Sequence, residues 1–295
     1  MTAAPGARVP VRLPPVPAVL VAVVCITGGA SLAKGLFPVL GAAGTAGLRI
    51  TLAALLMLAV IRPPVWRFER AQWLAVLPYG VALGAMNLCF YLAIARIPLG
   101  LAVTLEFLGP LGVAVLGSRR LADFLWVGLA AVGIALLSPW SPSADALDLR
   151  GVLLAVLAGA FWAAYILLGG RVSRQLSQGQ AVSVGMTFAA LTVLPFTLSD
   201  LVGAPLSPSV LATGLAVAVL SSALPYSLEM RALRALPSRT FGILMSLEPA
   251  SAALMGLLIL GEELSAVQWL AVACVSSASA GATLTARRVP PPVEA

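Results

Sequence analysis

Long apolar runs separated by short polar breaks occupy most of the chain. A membrane-spanning helix needs about 20 consecutive, mostly apolar residues, with a range of roughly 17–25. Ten stretches of the 295-residue chain meet this requirement. They lie at 16–33, 43–61, 73–94, 99–116, 121–138, 151–169, 181–198, 209–229, 241–260 and 265–284. The pattern therefore predicts an all-α integral membrane protein with ten transmembrane helices.

Composition supports lipid as the surrounding solvent. Hydrophobic residues make up 60% of the chain and charged residues only 10%, with a mean hydropathy of +1.03. Soluble domains carry about a quarter charged residues, so this chain has too little polar surface to cover itself in water. The first apolar run has no convincing small-residue cleavage site and nine further runs follow it, so we expect it to be retained as a helix.

The distribution of basic residues predicts the orientation. When the loops are assigned alternately to two sides, one side collects 14 of the 18 Lys and Arg residues, the other collects three, and Arg49 lies inside the second run. The positive-inside rule then places both termini in the cytoplasm of a multi-pass protein of the plasma membrane, the cell inner membrane in bacteria. The net charge of +7 comes from short clusters and forms no continuous stripe, so no nucleic-acid partner is expected.

A weak internal repeat divides the chain into two halves. AIARIP (93–98) is followed after eleven residues by Pro110, and ALRALP (232–237) is followed after eleven residues by Pro249. Five spans per half is an odd number, so the second half enters the membrane from the opposite side, as in many secondary transporters. The predicted segments are a cytoplasmic N-terminal tail 1–15, a first five-helix repeat 16–138, an external linker 139–150, a second five-helix repeat 151–284 and a cytoplasmic C-terminal tail 285–295.

The chain lacks the residues that several kinds of chemistry require. The chain contains no histidine, and its three cysteines lie singly in apolar runs without a CxxC pair. Histidine-based nucleophilic catalysis, HExxH metal binding and a zinc site are therefore excluded, and no cofactor or metal is expected. No phosphate-binding P-loop is present, so direct use of ATP is not predicted. An intramembrane enzyme would need clustered acidic, histidine or serine motifs, so the chain is predicted not to be an enzyme.

Three charged side chains lie deep inside predicted spans rather than near their ends: Arg49, Glu106 and Glu248. Charges at membrane depth cost about 2.5–3.5 kcal/mol on insertion scales and usually face a protein interior. In the functional interpretation, Glu106 binds a substrate ammonium or exchanges a proton, and Arg49 holds a carboxylate. In the structural alternative, Arg49 and Glu106 form an ion pair between spans two and four, and Glu248 satisfies helix-end amides.

The two prolines are candidate helix hinges. Pro110 has no amide hydrogen, so it would free the carbonyl of Glu106 and bend the helix there, and Pro249 would do the same to Met245. A freed carbonyl in a membrane must find a protein donor, water or a ligand. Bending for packing alone is the alternative interpretation.

Aromatic and polar side chains at membrane depth complete the predicted site. The candidate substrate- or proton-binding residues besides the three charges are Trp162, Tyr91, Asn87, Tyr226 and Ser222. Packing and interhelical hydrogen bonding are their alternative roles. The small-residue tract SSASAGA (276–282) predicts close packing of the last span and is also a candidate homodimer contact.

Two stretches resemble a known family. LEFLGPLGVAVLGSRRLADFLW (105–126) and SSALPYSLEMRALRALPSRTFGILMSLEPASAALMGLLILGE (221–262) are similar to the EamA-type branch of the drug/metabolite transporter superfamily. Within it, they are most similar to the Rht-type threonine/homoserine exporters. The resemblance implies ten spans, two inverted EamA repeats, inward termini and export of small metabolites.

These observations predict a secondary transporter that exports small amino acids of the threonine or homoserine type, or related metabolites, across the plasma membrane. Alternating access and coupling to protons are the expected mechanism, with a small-molecule substrate and the lipid bilayer as partners. The alternative is an EamA-type exporter of another small metabolite or drug-like compound. The more remote alternatives are a membrane protein without transport activity and an intramembrane enzyme.

Overall fold

A computed structural model describes residues 14–116, 121–136, 148–225, 228, 241 and 244–285. Every regular element within these ranges is helical. The helices are α1 (Pro15–Lys34), α2 (Phe37–Ile61), α3 (Arg70–Ile94), α4 (Leu99–Glu106), α5 (Leu108–Leu116), α6 (Leu121–Leu136), α7 (Leu149–Val172), α8 (Gln178–Gly203), α9 (Pro208–Ala218), α10 (Glu248–Met255) and α11 (Ala266–Thr285). A short 3₁₀ turn, Val65–Arg67, precedes α3, and π-helical turns extend α9 over Val219–Ala223 and α10 over Gly256–Leu260.

Six of these helices are long and apolar enough to cross a membrane: α1, α2, α3, α7, α8 and α11. Four shorter apolar helices lie at Leu99–Val113, Phe124–Leu136, Pro208–Ser222 and Glu248–Leu260. Many large apolar side chains on their outer faces are exposed, which suits contact with lipid. All ten predicted runs therefore contain described helix, and the described part of the chain is all-helical, which is consistent with a membrane protein. The number of crossings and the inverted repeat stay predictions.

Helix α2 begins earlier than the apolar pattern indicates. The predicted span starts at 43, but the helix starts at Phe37 and changes direction at Gly41, whose φ of 66° is in the left-handed region. Glycine adopts this conformation at no steric cost because it has no Cβ. Apolarity alone could not locate this turn.

The described helices pack around two main seams. Helix α3 packs along α7 and α8, and α2 packs along α8. Helix α6 lies along α11, where Ala278 and Ala282 are buried against Ala130 and the ring of Trp126 covers Gly281. The tract 276–282 therefore packs against its own chain on this face, as the close-packing interpretation predicted.

Both predicted hinges occur beside real helix breaks. Helix α4 ends at Glu106 and α5 begins at Leu108, so the helix is interrupted at Phe107, whose backbone stays in the right-handed helical region and whose amide bonds to the Val103 carbonyl. Helix α10 begins at Glu248 after a turn at 246–247, and Pro249 lies in its first turn. Proline is well tolerated there because the first amides of a helix have no intrahelical partner. The breaks at 107 and 246 are separated by the same 139 residues as the two prolines.

Candidate functional site

A cavity of about 200 Å³ opens where the two helix breaks face α1, α2, α3, α7 and the π-helical turn after α9. Six of the eight predicted binding residues line it: Arg49, Asn87, Tyr91, Glu106, Trp162 and Glu248. These residues come from positions 49 to 248 of the chain, so only folding brings them together. Tyr226 lies outside the described residues. Ser222 is buried but does not line this cavity, whereas the adjacent Ser221 does.

One wall of the cavity carries a positive charge. The Arg49 guanidinium is buried, donates a hydrogen bond to the Asn87 side-chain carbonyl and lies over the ring of Tyr91, 5.1 Å from its centroid. The Asn87 amide in turn donates to the Leu83 carbonyl at 2.8 Å, which orients its oxygen towards Arg49. Arg49 Nε and the Tyr91 hydroxyl have no hydrogen-bond partner among the described residues. The arginine is therefore held in place while part of its donor capacity stays unused.

A second wall carries two carboxylates at the helix breaks. Glu106 is the last residue of α4 and Glu248 is the first residue of α10, and both are 7% exposed. The positive end of the α10 dipole favours a negative charge at Glu248. Glu106 and Glu248 repel each other, while Arg49 attracts Glu106. Both carboxylates thus belong to the same electrostatic site.

The alternative ion pair between Arg49 and Glu106 is not formed. Within the part of the chain that the structure describes, the side-chain ion pairs join Lys34 to Glu262 and Arg96 to Asp148. Arg49 contacts Asn87 and Tyr91 instead. The guanidinium and the Glu106 carboxylate therefore both line the cavity without forming a direct ion pair.

Helix α7 supplies an aromatic wall. Trp162 meets the ring of Phe107 edge-on, with centroids 5.0 Å apart, and both Trp162 and Tyr165 line the cavity. Tyr165 stacks on Tyr79, and the two hydroxyls are 3.0 Å apart. Residues three apart on a helix share a face, so the GAFWAAY segment contained the signal for Tyr165 beside Trp162.

Two glycines allow the segment that carries Glu106 to pack closely against α7. A Cβ at Gly109 would lie 1.9 Å from the Gly159 carbonyl oxygen, and a Cβ at Gly159 would lie 2.6 Å from the Glu106 carbonyl oxygen. Only glycines permit this distance between the α4–α5 break and α7. The backbone of Glu106 is therefore positioned directly by α7.

Two further polar groups line the cavity. Thr27 of α1 shares a hydrogen bond with Ser251 of α10 (2.9 Å), and Ser221 lies in the π-helical turn after α9. Single hydroxyl residues in apolar runs are common, and no spacing rule separates these two from the others.

A polar cluster joins three elements at one end of the bundle. Lys34 at the end of α1 pairs with Glu262, whose other carboxylate oxygen accepts the amide of Leu99 at the start of α4 (2.7 Å). Glu262 directly follows Gly261, whose φ is 67° and which ends the π-helical turn after α10. Glu262 thus joins α1, α4 and the end of α10, a role that its position in a short loop did not indicate.

Sequence comparison decides the family. Residues 149–284 match the family model described as the EamA-like transporter family. The threonine/homoserine exporter RhtA of Escherichia coli (strain K12) is 50% identical over 282 residues, which cover 95% of each chain. The chain belongs to the EamA-like transporter family. A threonine/homoserine exporter RhtA of Salmonella typhimurium (strain LT2) is 49% identical over 284 residues, covering 96% of this transporter and 95% of the relative.

The fold has a counterpart among solved structures. A structure described only as "Crystal structure of protein" superposes on this transporter with a TM-score of 0.58 and 21% identity. The superposition covers 92% of this transporter and 99% of the other chain. This superposition shows the fold alone, whereas the family match and the named exporters confirm the prediction of a membrane transporter rather than an enzyme.

Proposed function

We propose that this transporter exports small amino acids of the threonine or homoserine type across the plasma membrane in exchange for protons. The names of the two relatives, both threonine/homoserine exporters at about half identity, support this substrate class. The function rests on one structural observation, which is the placement of a guanidinium and two carboxylates in one small cavity.

This arrangement of charges complements a zwitterion. A free amino acid presents a carboxylate, which the buried Arg49 can hold through its unused donors, and an ammonium, which Glu106 or Glu248 can accept. The cavity volume of about 200 Å³ is below the roughly 300–1,000 Å³ of sites for drug-sized ligands. The size therefore favours a small amino acid over a drug-like compound, the alternative that the sequence left open.

The number of carboxylates supports coupling to protons. One ammonium neutralises one of the two buried carboxylates, and the described lining of the cavity contains one arginine, Arg49. A carboxylate oxygen can accept a hydrogen bond from an ammonium or carry a proton itself, and the two states exclude each other. Entry of a proton and departure of the ammonium can therefore alternate at the same pair of groups, which is the requirement for exchange.

The helix breaks support alternating access. Discontinuous helices whose ends meet at the substrate are a recurring feature of secondary transporters with inverted repeats. The breaks at Phe107 and Ser246 are 139 residues apart and border the same cavity. We therefore propose that residues 16–138 and 151–284 form two five-helix halves of inverted topology, with both termini in the cytoplasm. A homodimer stays a prediction from the tract 276–282.

The experiment compares threonine and homoserine efflux from loaded cells that lack their own exporters. Glu106→Gln removes a charge but keeps the side-chain shape, and Glu263→Gln is the matched control because Glu263 is exposed outside the cavity. Loss of one charged hydrogen bond corresponds to roughly a 10- to 100-fold lower efflux rate at equal protein abundance. Efflux at the wild-type rate in Glu106→Gln would show that this carboxylate carries neither ammonium nor proton.

A further inference from the structure

The hydroxyl of Ser221 is unusual among the helical hydroxyls of this transporter. Ser and Thr side chains within helices commonly donate to the carbonyl four residues earlier. Thr27, Thr104 and Thr192 do so here, at 3.0, 2.6 and 2.7 Å. The Ser221 oxygen is buried and has no hydrogen-bond partner among the described residues. An unpaired buried hydroxyl is costly, so its position calls for a partner.

The local backbone directs Ser221 into the cavity. The π-helical turn Val219–Ala223 closes with the Leu224 amide bonded to the Val219 carbonyl, one residue wider than an α-turn. Such turns recur at functional sites because they shift one side chain out of the regular helical pattern. Three other serine oxygens, those of Ser183, Ser222 and Ser276, are also buried without a described partner, but Ser221 is the one that lines the cavity.

Helix α1 holds Ser221 in this position. An added Cβ at Gly29 would lie 2.4 Å from the Ser221 hydroxyl oxygen and 3.3 Å from the Cβ of Leu220. The absence of a side chain at Gly29 is therefore what allows the π-helical turn to approach α1 this closely. Gly29 acts as a positioning residue for the Ser221 hydroxyl.

We propose that Ser221 binds the side-chain hydroxyl of the exported amino acid and so discriminates hydroxylated substrates from apolar amino acids of the same shape. The inference rests on the proposed function, in which Arg49 and the two carboxylates hold the backbone groups common to all amino acids. Those groups alone cannot separate threonine from valine, in which a methyl replaces the hydroxyl. A site with a buried group that only the hydroxylated substrate can satisfy rejects the analogue.

The test measures efflux of labelled threonine and valine from the same loaded cells and reports their ratio, which does not depend on protein abundance. Ser221→Ala is expected to lower the threonine-to-valine ratio about three- to tenfold, the value of one neutral hydrogen bond. Gly29→Ala is expected to lower it too, because the new methyl displaces the hydroxyl. The matched controls are Ser183→Ala and Ser222→Ala, which each remove a buried hydroxyl that does not line the cavity. Both should keep the wild-type ratio.

The outcomes separate this inference from the proposed function. A wild-type protein that exports neither amino acid overturns the proposed function itself. A wild-type protein that exports threonine with no preference over valine overturns the role of Ser221. The same conclusion follows if Ser221→Ala keeps the wild-type ratio, or if Ser222→Ala alone lowers it.

Discussion

Gly109 offers a sharp test of how the carboxylate wall is positioned. It is the second residue of α5, directly after the break that carries Glu106, and its α-carbon faces the backbone of Gly159 on α7. Replacing Gly109 by alanine adds one methyl group at this contact. The change leaves every charge of the cavity untouched, so any effect arises from displacement of the backbone.

The required displacement follows from the distances. The new Cβ would lie 1.9 Å from the Gly159 carbonyl oxygen, whereas such contacts are essentially never below 3.0 Å. The two backbones must therefore separate by about 1.1 Å, and overpacking of this kind costs typically 1–3 kcal/mol. Misplacing binding groups by about 1 Å can lower a rate by up to about 100-fold. For Gly159→Ala the shortest contact is 2.6 Å, so its effect should have the same sign and be smaller.

The matched control lies three residues further along the same helix. A Cβ at Gly112 would meet no described atom within 4 Å, so Gly112→Ala adds the same methyl without a clash. Alanine is also favoured over glycine in a helix by up to about 1 kcal/mol. The assays are thermal unfolding of the purified protein in detergent and threonine efflux from loaded cells. We expect Gly109→Ala to lower both the melting temperature and the efflux rate, while Gly112→Ala lowers neither.

A Gly109→Ala protein that melts and transports like Gly112→Ala would refute this reasoning. It would mean that the α4–α5 break can move away from α7 at no cost. The position of Glu106 would then be set by contacts other than the glycine approach.

Two further predictions concern groups outside the cavity. Glu262→Ala is expected to lower the melting temperature in detergent more than Glu262→Gln does. Glutamine can still accept the first amide of α4 and loses only the ion pair with Lys34, whereas alanine loses both. The control Glu263→Ala, at an exposed residue, should change the melting temperature little. Equal melting of both Glu262 variants would contradict the capping role. The hydrogen bond from Arg96 holds the pKa of Asp148 below its ordinary value, so the folded state favours the charged carboxylate. The folded state therefore gains stability from Asp148 at every pH above the ordinary pKa of an aspartate. The melting difference between wild type and Asp148→Asn should therefore be largest near neutral pH and close as the pH falls below about 4. A difference that persists at lower pH would refute it.

Apolar patterning predicted most helices because lipid imposes a simple rule on each of them. Every spanning helix must be long and apolar, so α1, α3, α7 and α11 could be located to within a few residues without any knowledge of their neighbours. The rule fails where the backbone departs from a continuous helix. The turn at Gly41 depends on one residue's backbone freedom and was missed by the apolar pattern.

The candidate site could be predicted in part for a related reason. Arg49, Glu106 and Glu248 stand out because a charge in an apolar run is costly anywhere, whatever its surroundings. Thr27 does not stand out, since a hydroxyl in a helix can hydrogen-bond to the preceding turn, and the sequence does not separate Ser221 from its neighbour Ser222. Choosing Ser221 rather than Ser222 required the π-helical turn, because a shift of one residue turns a side chain to another face of the helix.

The sequence by itself determined the solvent, the helical class and the identity of the charged groups, because each follows from the composition of a segment taken alone. The family was also readable from contiguous motifs. Only the tertiary structure decided that Arg49 contacts Asn87 rather than Glu106, and that both helix breaks border one cavity. It also decided that glycines set the distance from Glu106 to α7. These are contacts between segments distant along the chain, and their geometry depends on how the helices pack.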